Sequence, residues 1–570
     1  MDGKGATRYD LLALGGFLCL AVALALIPFI TPDLWSMDRF FHEIRLLEVH
    51  RCLGEGHLWP DWSPDLAHGH GQPLFHYYPV GLYLLASPLL GLGMDPKQAL
   101  LVVVTLAFAL SAYAVYRTVW SRVGAWAGVV AGVLWMTAPH FAVNLQVRSG
   151  LTWMLGLSLL PVALGGVLDL AQGRPSRSAW LRAVGGLAAL CLVHNLVALL
   201  AAGACVVLAL AVGISSRERG GFVGPLTALA LALAMTAFFW LPAALDMSLV
   251  HLERMNTGFF DPAKHGVYPS QLVGIAFGRG PSVPGPDDGM SLSMGAFHAL
   301  GLLVVLMFAV VRAKRVGRTG WTLLGSAVVI VLVMLPVSGG VFHVVPLIGF
   351  LQFPWRLLGP LALVVAWVVP LAGFAVLPSR AARVGSVLLV AAVLASTGPS
   401  FMDLRIMTVE EYAAFDSVRE KGVDGIAESP DPYSTTTGVL EYLPRTAPGY
   451  PEVPSAALVE APPWVEVTKA EKDCSGVQVE VRTDQAGALR INVFDFPFFA
   501  VDLDGLPAPH RTDPETGFVL VGMTEPGAHT VSLRLTSTPI QAPATALSLV
   551  GLLAAAVLAW RRRKGWDPSS

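Results

Sequence analysis

The sequence contains few charged residues for its length. Only 14% of its 570 residues are charged and 54% are apolar, whereas soluble domains carry roughly 25% charged residues. So little charge cannot cover several soluble cores with a polar surface, which excludes a string of soluble domains. The composition instead predicts a protein that crosses a membrane many times.

Cysteines and basic stripes are also scarce. The sequence has five cysteines, Cys19, Cys52, Cys191, Cys205 and Cys474. Their spacing matches no zinc motif, so a cysteine-based zinc site is excluded. Basic residues occur in short clusters beside apolar segments, which argues against nucleic acid as a partner.

The small net charge of −2 hides an uneven distribution. Residues 400–540 hold 22 of the 40 acidic residues and 10 of the 38 basic ones. The remainder of the chain is therefore basic. One acidic, soluble segment interrupts a basic membrane body.

Apolar segments of about 17–25 residues are long enough to cross a bilayer. The predicted spans are 10–31, 97–116, 123–139, 150–170, two short spans within 183–214, 222–243, 293–311, 320–337, 356–377, 384–399 and 541–560. The segment 79–93 is short and contains Pro88, so we interpret it as re-entrant or interfacial. Every large basic cluster then lies on one side, which is the cytoplasmic side by the positive-inside rule. The sequence thus predicts about twelve spans in the plasma (inner) membrane, with both termini cytoplasmic.

Four regions follow from these boundaries. Residues 1–399 form a membrane domain whose external loop 32–78 carries juxtamembrane helices, and residues 400–463 form an external connector. Residues 464–540 alternate apolar and polar, as in Val477, Val479 and Val481, which predicts an external β-sandwich. Residues 541–570 form the last span and a basic cytoplasmic tail. The sandwich is interpreted either as a sugar-binding module or as a lid or spacer.

The first external loop holds the most reactive residues. A helix capped by Ser36 would place Asp38, His42 and Arg45 on one face. A carboxylate at the outer membrane boundary can act as a general base or hold a divalent metal. The alternative is that Asp38 only caps a surface helix, and the sequence leaves the metal undecided.

The same loop is rich in aromatic residues and histidines, and Trp62 and Tyr78 are candidates for substrate binding. Its histidines are His57, His68, His70 and His76. They lack a regular ligand spacing, so packing among aromatic residues is the alternative to metal binding.

Further polar residues lie at the predicted outer ends of spans. Arg148 and Arg356 stand just before long apolar helices, and Gln352 precedes Arg356 by four residues. A guanidinium matches phosphate oxygens bidentately, so these arginines are candidate phosphate ligands. The alternative is that they snorkel to lipid headgroups.

A polar pair, His194 and Asn195, interrupts an otherwise apolar stretch. Both are candidates for substrate binding. Helix packing is the alternative for His194.

Several motifs together resemble a known family. They are Asp38-x-x-x-His42, Gly56-x-x-x-Pro-x-Trp-Ser-Pro64, Gly69-x-Gly71-x-Pro73-Leu-Phe, Tyr77-Tyr-Pro79, Val147-Arg148, His194-Asn195, Phe239-Trp-Leu-Pro242 and Leu351-Gln-Phe-Pro-Trp-Arg356. This set resembles the multispanning "6-pyruvoyl-tetrahydropterin synthase-related" membrane proteins. No pterin-synthase zinc triad is visible. More distantly, the arrangement is similar to the GT-C class of integral-membrane glycosyltransferases.

The resemblance implies a mainly helical, GT-C-like fold and a polyprenyl-phosphate sugar as donor. It gives Asp38 the role of the loop carboxylate, and Arg148 and Arg356 that of phosphate contacts. Thr152-Trp153 stands where the family often has a glutamate, so the sequence offers no second carboxylate there.

Three functions are compatible with these features. The favoured hypothesis is a GT-C-type glycosyltransferase that moves a sugar from a polyprenyl-phosphate donor to a glycan, lipid or protein acceptor on the outer face of the membrane. The alternatives are a non-catalytic lipid-handling or transport protein and a cell-envelope assembly factor whose sandwich binds a partner.

Overall fold

The chain is mainly helical and carries a β-sheet region before its last helix, as the sequence predicted. The computed structural model describes residues 3–31, 36–215, 220–402, 440–449 and 457–563. Most of the predicted connector 400–463 lies outside the described residues, and so do residues 564–570 of the predicted basic tail.

The helices of the N-terminal half are α1 (Gly3–Ile30), α2 (Arg39–Gly54), α3 (Leu74–Tyr77), α4 (Gly81–Gly91), α5 (Pro96–Val123), α6 (Ala125–Met136), α7 (Pro139–Ala142), α8 (Leu151–Ala171), α9 (Arg177–Val193), α10 (Asn195–Ala211), α11 (Gly220–Met235) and α12 (Ala237–Leu245). A π-helix, Val143–Arg148, joins α7 to α8. The later helices are α13 (Pro269–Leu272), α14 (Ala296–Val311), α15 (Ala313–Met334), α16 (Val341–Val344), α17 (Pro346–Gly349), α18 (Leu358–Val376), α19 (Ser379–Met402) and α20 (Gln541–Arg563). Short 3₁₀ turns occupy Gly213–Ser215, Met247–Leu249, Leu252–Asn256, Gly258–Phe260, Pro262–Lys264, Pro336–Ser338, Pro354–Leu357 and Leu440–Tyr442.

Each predicted span overlaps in sequence with at least one observed helix. Among the described residues, seven helices are long and apolar enough to cross a membrane, and nine spans result if each of two bent helix pairs is one span. The predicted break at His194 is present, because α9 ends at Val193 and α10 begins at Asn195. The chain is thus a multi-pass membrane protein, while the count of twelve crossings stays a prediction.

The centre of the helical bundle is formed by α8 and α18. Most residues in the apolar part of α8 and of the Pro354–Val376 helix are buried, whereas less than a third are buried in the apolar parts of α1, α19 and α20. A helix that is apolar on all sides is stable when surrounded by other helices or by lipid. Arg148 and Arg356 therefore stand at the ends of the two most central helices.

The C-terminal part forms two antiparallel sheets. Its strands are β1 (Val459–Glu460), β2 (Val465–Asp473), β3 (Gly476–Thr483), β4 (Gly487–Phe494), β5 (Phe499–Leu503), β6 (Leu506–Pro507), β7 (His510–Thr512), β8 (Phe518–Met523) and β9 (Gly527–Leu535). One sheet has the order β1-β4-β8-β7 and the other β2-β3-β9-β5-β6. Val477, Val479 and Val481 are buried between them, because alternate residues of a strand point to the same face.

The sandwich is attached directly to the segment between α1 and α4. A disulfide joins Cys52 at the end of α2 to Cys474 between β2 and β3. His70 exchanges hydrogen bonds with the backbone of β4 and stacks on Phe518 at 4.5 Å between ring centroids. Covalent and polar contacts thus fix the sandwich above α2.

Candidate functional site

The site begins where the chain enters α2. Asp38 occupies the position before the first helical residue, but its side chain caps no backbone N–H of the helix. The predicted Ser36 cap is wrong, because α2 begins at Arg39 and the Ser36 hydroxyl accepts a hydrogen bond from Ser149 instead. The backbone N–H of Asp38 donates to the carbonyl of Arg148 at 2.8 Å, so this segment is held against the π-helix.

The π-helix brings Arg148 to the Asp38 carboxylate. Arg148 Nη2 lies 3.6 Å from Asp38 Oδ2, and Nη1 donates to Asn144 Oδ1 at 2.7 Å. The guanidinium also covers the ring of Trp355 at 4.7 Å. The following residue, Ser149, has a φ of 49°, which is costly for a residue with a side chain. π-Helical turns and strained residues of this kind are concentrated at functional sites.

Arg356 approaches the same group from the start of α18. Its Nη1 donates to Gln352 Oε1 at 2.8 Å and to the carbonyl of Leu351 at 3.1 Å. Gln352 has a φ of 59°, so a second left-handed residue positions a second arginine. Arg356 Nε is buried without a hydrogen-bond partner in the described part of the chain.

The third arginine comes from α2 itself. The Arg45 guanidinium lies 4.2 Å from the centre of the Tyr78 ring, and its Nε is also buried without a partner among the described residues. His42 Nδ1 hydrogen-bonds Tyr83 at 2.9 Å, and its Nε2 accepts from the backbone N–H of Leu151 at 3.3 Å. Both His42 and Arg45 are buried residues of α2.

These residues form a cluster with excess positive charge, which we name the Asp38 cluster: Asp38, His42, Arg45, Tyr78, Arg148 and Arg356. Withdrawal from water raises the pKa of the Asp38 carboxyl, while Arg148, Arg45 and Arg356 oppose that rise. Burial holds the pKa of His42 well below its usual value, with Arg45 and Arg148 adding to the effect. A neutral His42 leaves three guanidiniums facing one carboxylate, which is a favourable environment for an anion.

Other predicted site residues support the cluster from its edge. His194 packs edge-on against Trp153, with 5.2 Å between ring centroids. The Arg356 guanidinium lies 5.9 Å from the centre of the same Trp153 ring. Asn195 donates to the carbonyl of Tyr77 at 2.9 Å, and the Tyr78 hydroxyl bonds Thr152 at 2.7 Å. The pair His194-Asn195 therefore joins the break between α9 and α10 to the cluster.

Trp62 lies elsewhere. Its ring is 4.9 Å from Phe499 and 6.1 Å from Phe496, both in the sandwich. A side chain at Gly71 would overlap the Trp62 ring, since a Cβ there would lie 2.5 Å from it. The structure thus places Trp62 in the junction between loop and sandwich.

The histidines of the loop do not converge. His70 stacks on Phe518, whereas His76 lies between Asp61 and Asp246 at 3.4 and 3.0 Å. Among the residues described, no group of three or more His, Cys, Asp or Glu side chains is arranged to hold a metal ion.

Two features of the site had little signal in the sequence. The ring of Tyr442, near the end of the connector, lies 6.4 Å from the ring of Tyr78, and no motif marked it. The Cys52–Cys474 disulfide joins residues 422 positions apart. A usable signal did exist for it, because the predicted topology placed only these two cysteines outside the membrane.

The fold and the site define a multi-pass membrane protein with a buried, arginine-rich cluster and a β-sandwich joined to α2 by a disulfide. A family model described as "6-pyruvoyl-tetrahydropterin synthase related domain; membrane protein" matches residues 75–404. The chain belongs to this family, which confirms the resemblance found in the sequence.

Solved structures similar to the chain include two membrane glycosyltransferases. The mycobacterial arabinofuranosyltransferase AftD is 20% identical over 69% of this chain and 26% of its own, with a TM-score of 0.43. The oligosaccharyltransferase of Archaeoglobus fulgidus is 14% identical over 80% of this chain and 61% of its own, with a TM-score of 0.49. At such low identities and scores their activities do not transfer to this chain. No curated protein matches the sequence.

Proposed function

We propose that the protein is a glycosyltransferase that uses a polyprenyl-phosphate sugar as donor and acts at the outer face of the membrane. The observation that carries the proposal is the meeting of two buried arginines beside Asp38. The Arg148 guanidinium lies 3.6 Å from the Asp38 carboxylate, and the Arg148 and Arg356 guanidiniums lie over the same Trp355 ring at 4.7 and 6.0 Å. Such a group of cations can bind the phosphate of a lipid-linked sugar and stabilise it when the bond between sugar and phosphate breaks. The boundary position suits a donor whose tail stays in the bilayer.

The arginines act on the leaving group. As the bond between the anomeric carbon and the phosphate oxygen breaks, the lipid phosphate departs with the electron pair and gains negative charge. Buried cations that are already in place stabilise that charge in the transition state. Within the described part of the chain, the Nε atoms of Arg45 and Arg356 have no hydrogen-bond partner, so both are donors for phosphate oxygens.

Asp38 acts on the acceptor. Its carboxylate takes the proton of the acceptor hydroxyl while the hydroxyl oxygen forms the new bond to the anomeric carbon. Withdrawal from water raises the pKa of Asp38, and a carboxylate with a raised pKa is a better base. Asp38 makes no cap hydrogen bond to α2, so the helix-cap explanation does not account for its position.

The proposed orientation places α2, the Asp38 cluster and the sandwich outside the cytoplasm. The Cys52–Cys474 disulfide supports this orientation, because disulfides persist in oxidising compartments and are rare in the cytosol. The positive-inside rule supports the same orientation, and we propose on that ground an inner-membrane protein with both termini in the cytoplasm.

The test is transfer by purified protein in nanodiscs, supplied with labelled polyprenyl-phosphate sugars and a cell-envelope fraction as acceptor. Asp38→Asn keeps the shape and removes the charge, and loss of a general base typically lowers the rate about 10²–10⁴-fold. Asp287→Asn, in an exposed external loop, is the control and should transfer at the wild-type rate. Full transfer by a folded Asp38→Asn variant would move the base to Asp61 or Asp65. Lipid-phosphate binding without any transfer would favour a lipid-handling protein instead.

A further inference from the structure

Two arginines of the Asp38 cluster are held by amide side chains that stand four residues before them. Arg148 Nη1 donates to Asn144 Oδ1 at 2.7 Å, and Arg356 Nη1 donates to Gln352 Oε1 at 2.8 Å. One pair belongs to the π-helix and the other to the turn before α18. The same arrangement, an amide followed by an arginine, therefore occurs twice at one site.

Helix α2 shows the alternative arrangement with carboxylates. Arg39 Nε donates to Glu43 at 2.6 Å, and Arg51 Nε donates to Glu55 at 2.9 Å. A carboxylate and an amide both offer a guanidinium an oxygen acceptor, but only the carboxylate also compensates its charge. The two arginines of the cluster thus receive a hydrogen bond from a neighbouring side chain without a counter-charge from it.

The charge that remains on these two arginines is buried. Arg148 is 9% exposed, and it pairs with the Asp38 carboxylate at 3.6 Å, which is longer than a hydrogen bond. No ion pair within the described ranges includes Arg356, whose Nε is buried there without a hydrogen-bond partner. A buried charge without full compensation destabilises a protein. A bound anion would supply the missing charge.

Asn144 makes a second bond that requires an amide. Its Nδ2 donates to the carbonyl of His140 at 2.7 Å while its Oδ1 accepts from Arg148. An ionised aspartate has no donor for that carbonyl. Gly150 packs against the same pair, because a Cβ there would lie 3.1 Å from Asn144 Oδ1 and 3.4 Å from Arg148 Nη1. Uncharged groups therefore fix the Arg148 guanidinium in place.

We propose that Asn144 and Gln352 are positioning residues, which hold the guanidiniums of Arg148 and Arg356 and leave their charge available to the phosphate of the lipid-linked donor. The inference deepens the proposed function and rests on it for the identity of the anion. Both guanidiniums lie over the Trp355 ring, at 4.7 and 6.0 Å, so the two cations belong to one site. Arginines that are already in place lose little freedom on binding, and the phosphate brings the counter-charge that the amides lack.

The experiment exchanges an amide for a carboxylate. Gln352→Glu keeps the size, the acceptor oxygen and the backbone conformation with a φ of 59°, and it adds one negative charge beside Arg356. Gln485→Glu makes the same exchange in the exposed connection between β3 and β4 and is the matched control. The measurements are the thermal-unfolding midpoint of the ligand-free protein and the Kd for polyprenyl phosphate in nanodiscs.

The two measurements should show opposite effects of Gln352→Glu. The unfolding midpoint should rise, because the new carboxylate compensates a buried cation. The Kd should also rise, by at least about 10-fold, because the carboxylate repels the phosphate. Gln485→Glu should match wild type in both measurements.

Alanine variants separate positioning without charge compensation from a purely structural role. Gln352→Glu should bind more weakly than Gln352→Ala, and Asn144→Asp more weakly than Asn144→Ala, although the acidic variants keep the acceptor oxygen. Residues that act only through their shape would give the reverse order, which would overturn the inference. Wild-type affinity in Gln352→Glu, or a lower unfolding midpoint in that variant, would overturn it as well.

The proposed function fails in a different way. If the wild type does not bind polyprenyl phosphate, the proposed donor is wrong, while a raised unfolding midpoint in Gln352→Glu would still support the uncompensated charge at Arg356. Inorganic phosphate serves as the competitor. Displacement of the lipid by an equal concentration of inorganic phosphate would make free phosphate the ligand, which also contradicts the proposed donor.

Discussion

Replacement of Arg148 tests the anion site most directly. The Arg148 guanidinium is held in place by Asn144 at 2.7 Å and lies 3.6 Å from Asp38. Arg148→Ala removes the cation nearest to Asp38, so the remaining carboxylate repels a phosphate. Arg148→Lys keeps the charge but loses the planar guanidinium, which can donate to Asn144 and to a phosphate at the same time.

The size of the effect follows from the bonds lost. A hydrogen bond between charged groups contributes about 1.5–3 kcal/mol, so Arg148→Ala should raise the Kd for polyprenyl phosphate about 10- to 150-fold. Arg148→Lys loses roughly one bond of about 1 kcal/mol, which corresponds to about fivefold. Arg356→Ala should resemble Arg148→Ala, because two hydrogen bonds hold the Arg356 guanidinium in place and its buried Nε has no hydrogen-bond partner among the described residues.

The assay is equilibrium binding of labelled polyprenyl phosphate to protein in nanodiscs. Arg534→Ala is the control, because Arg534 is an exposed arginine of β9 that pairs with Asp502 within the sandwich at 2.5 Å. Wild-type affinity in both Arg148→Ala and Arg356→Ala would refute a phosphate site at these arginines and leave snorkelling as their role.

Three further predictions concern the frame around the site. Cys52→Ser should free the sandwich from α2, since loss of a native disulfide typically costs about 2–5 kcal/mol; limited proteolysis should cut residues 457–540 faster than in wild type, and unchanged cleavage would contradict this. In intact cells, a cysteine introduced at Gly285 should react with an impermeant reagent and one at Arg315 should not; labelling at Arg315 would contradict the proposed topology. His70 is buried and its pKa is lowered to about 4, below the usual value of about 6.5. Its contribution to stability is therefore present above pH 6.5 and is lost as pH falls towards 4, by at most roughly 3 kcal/mol. His70→Phe should reduce this acid sensitivity in a thermal-unfolding series, and an identical pH profile would contradict the assignment.

The sequence by itself determined the class of the protein and the positions of its helices. Hydrophobicity and length are local properties, so apolar segments coincide with helices throughout, including the break at His194. The strands of the sandwich follow from alternation at period two in the same way. Arg148 and Arg356 were visible because each interrupts an apolar sequence at the start of a central helix.

Only the tertiary structure decided which of the candidates meet. Asp38 and Arg148 come together because a π-helix and a left-handed Ser149 turn the chain back towards α2, and neither feature has a pattern in the residue types. Trp62 is of a residue type common in binding sites, but its ring packs against Phe496 and Phe499 of the sandwich. Tyr442 and the Cys52–Cys474 pair depend on contacts between segments far apart in the chain, 422 residues in the case of the disulfide. Such contacts arise from packing of the whole chain, so the secondary-structure propensities of local segments cannot predict them.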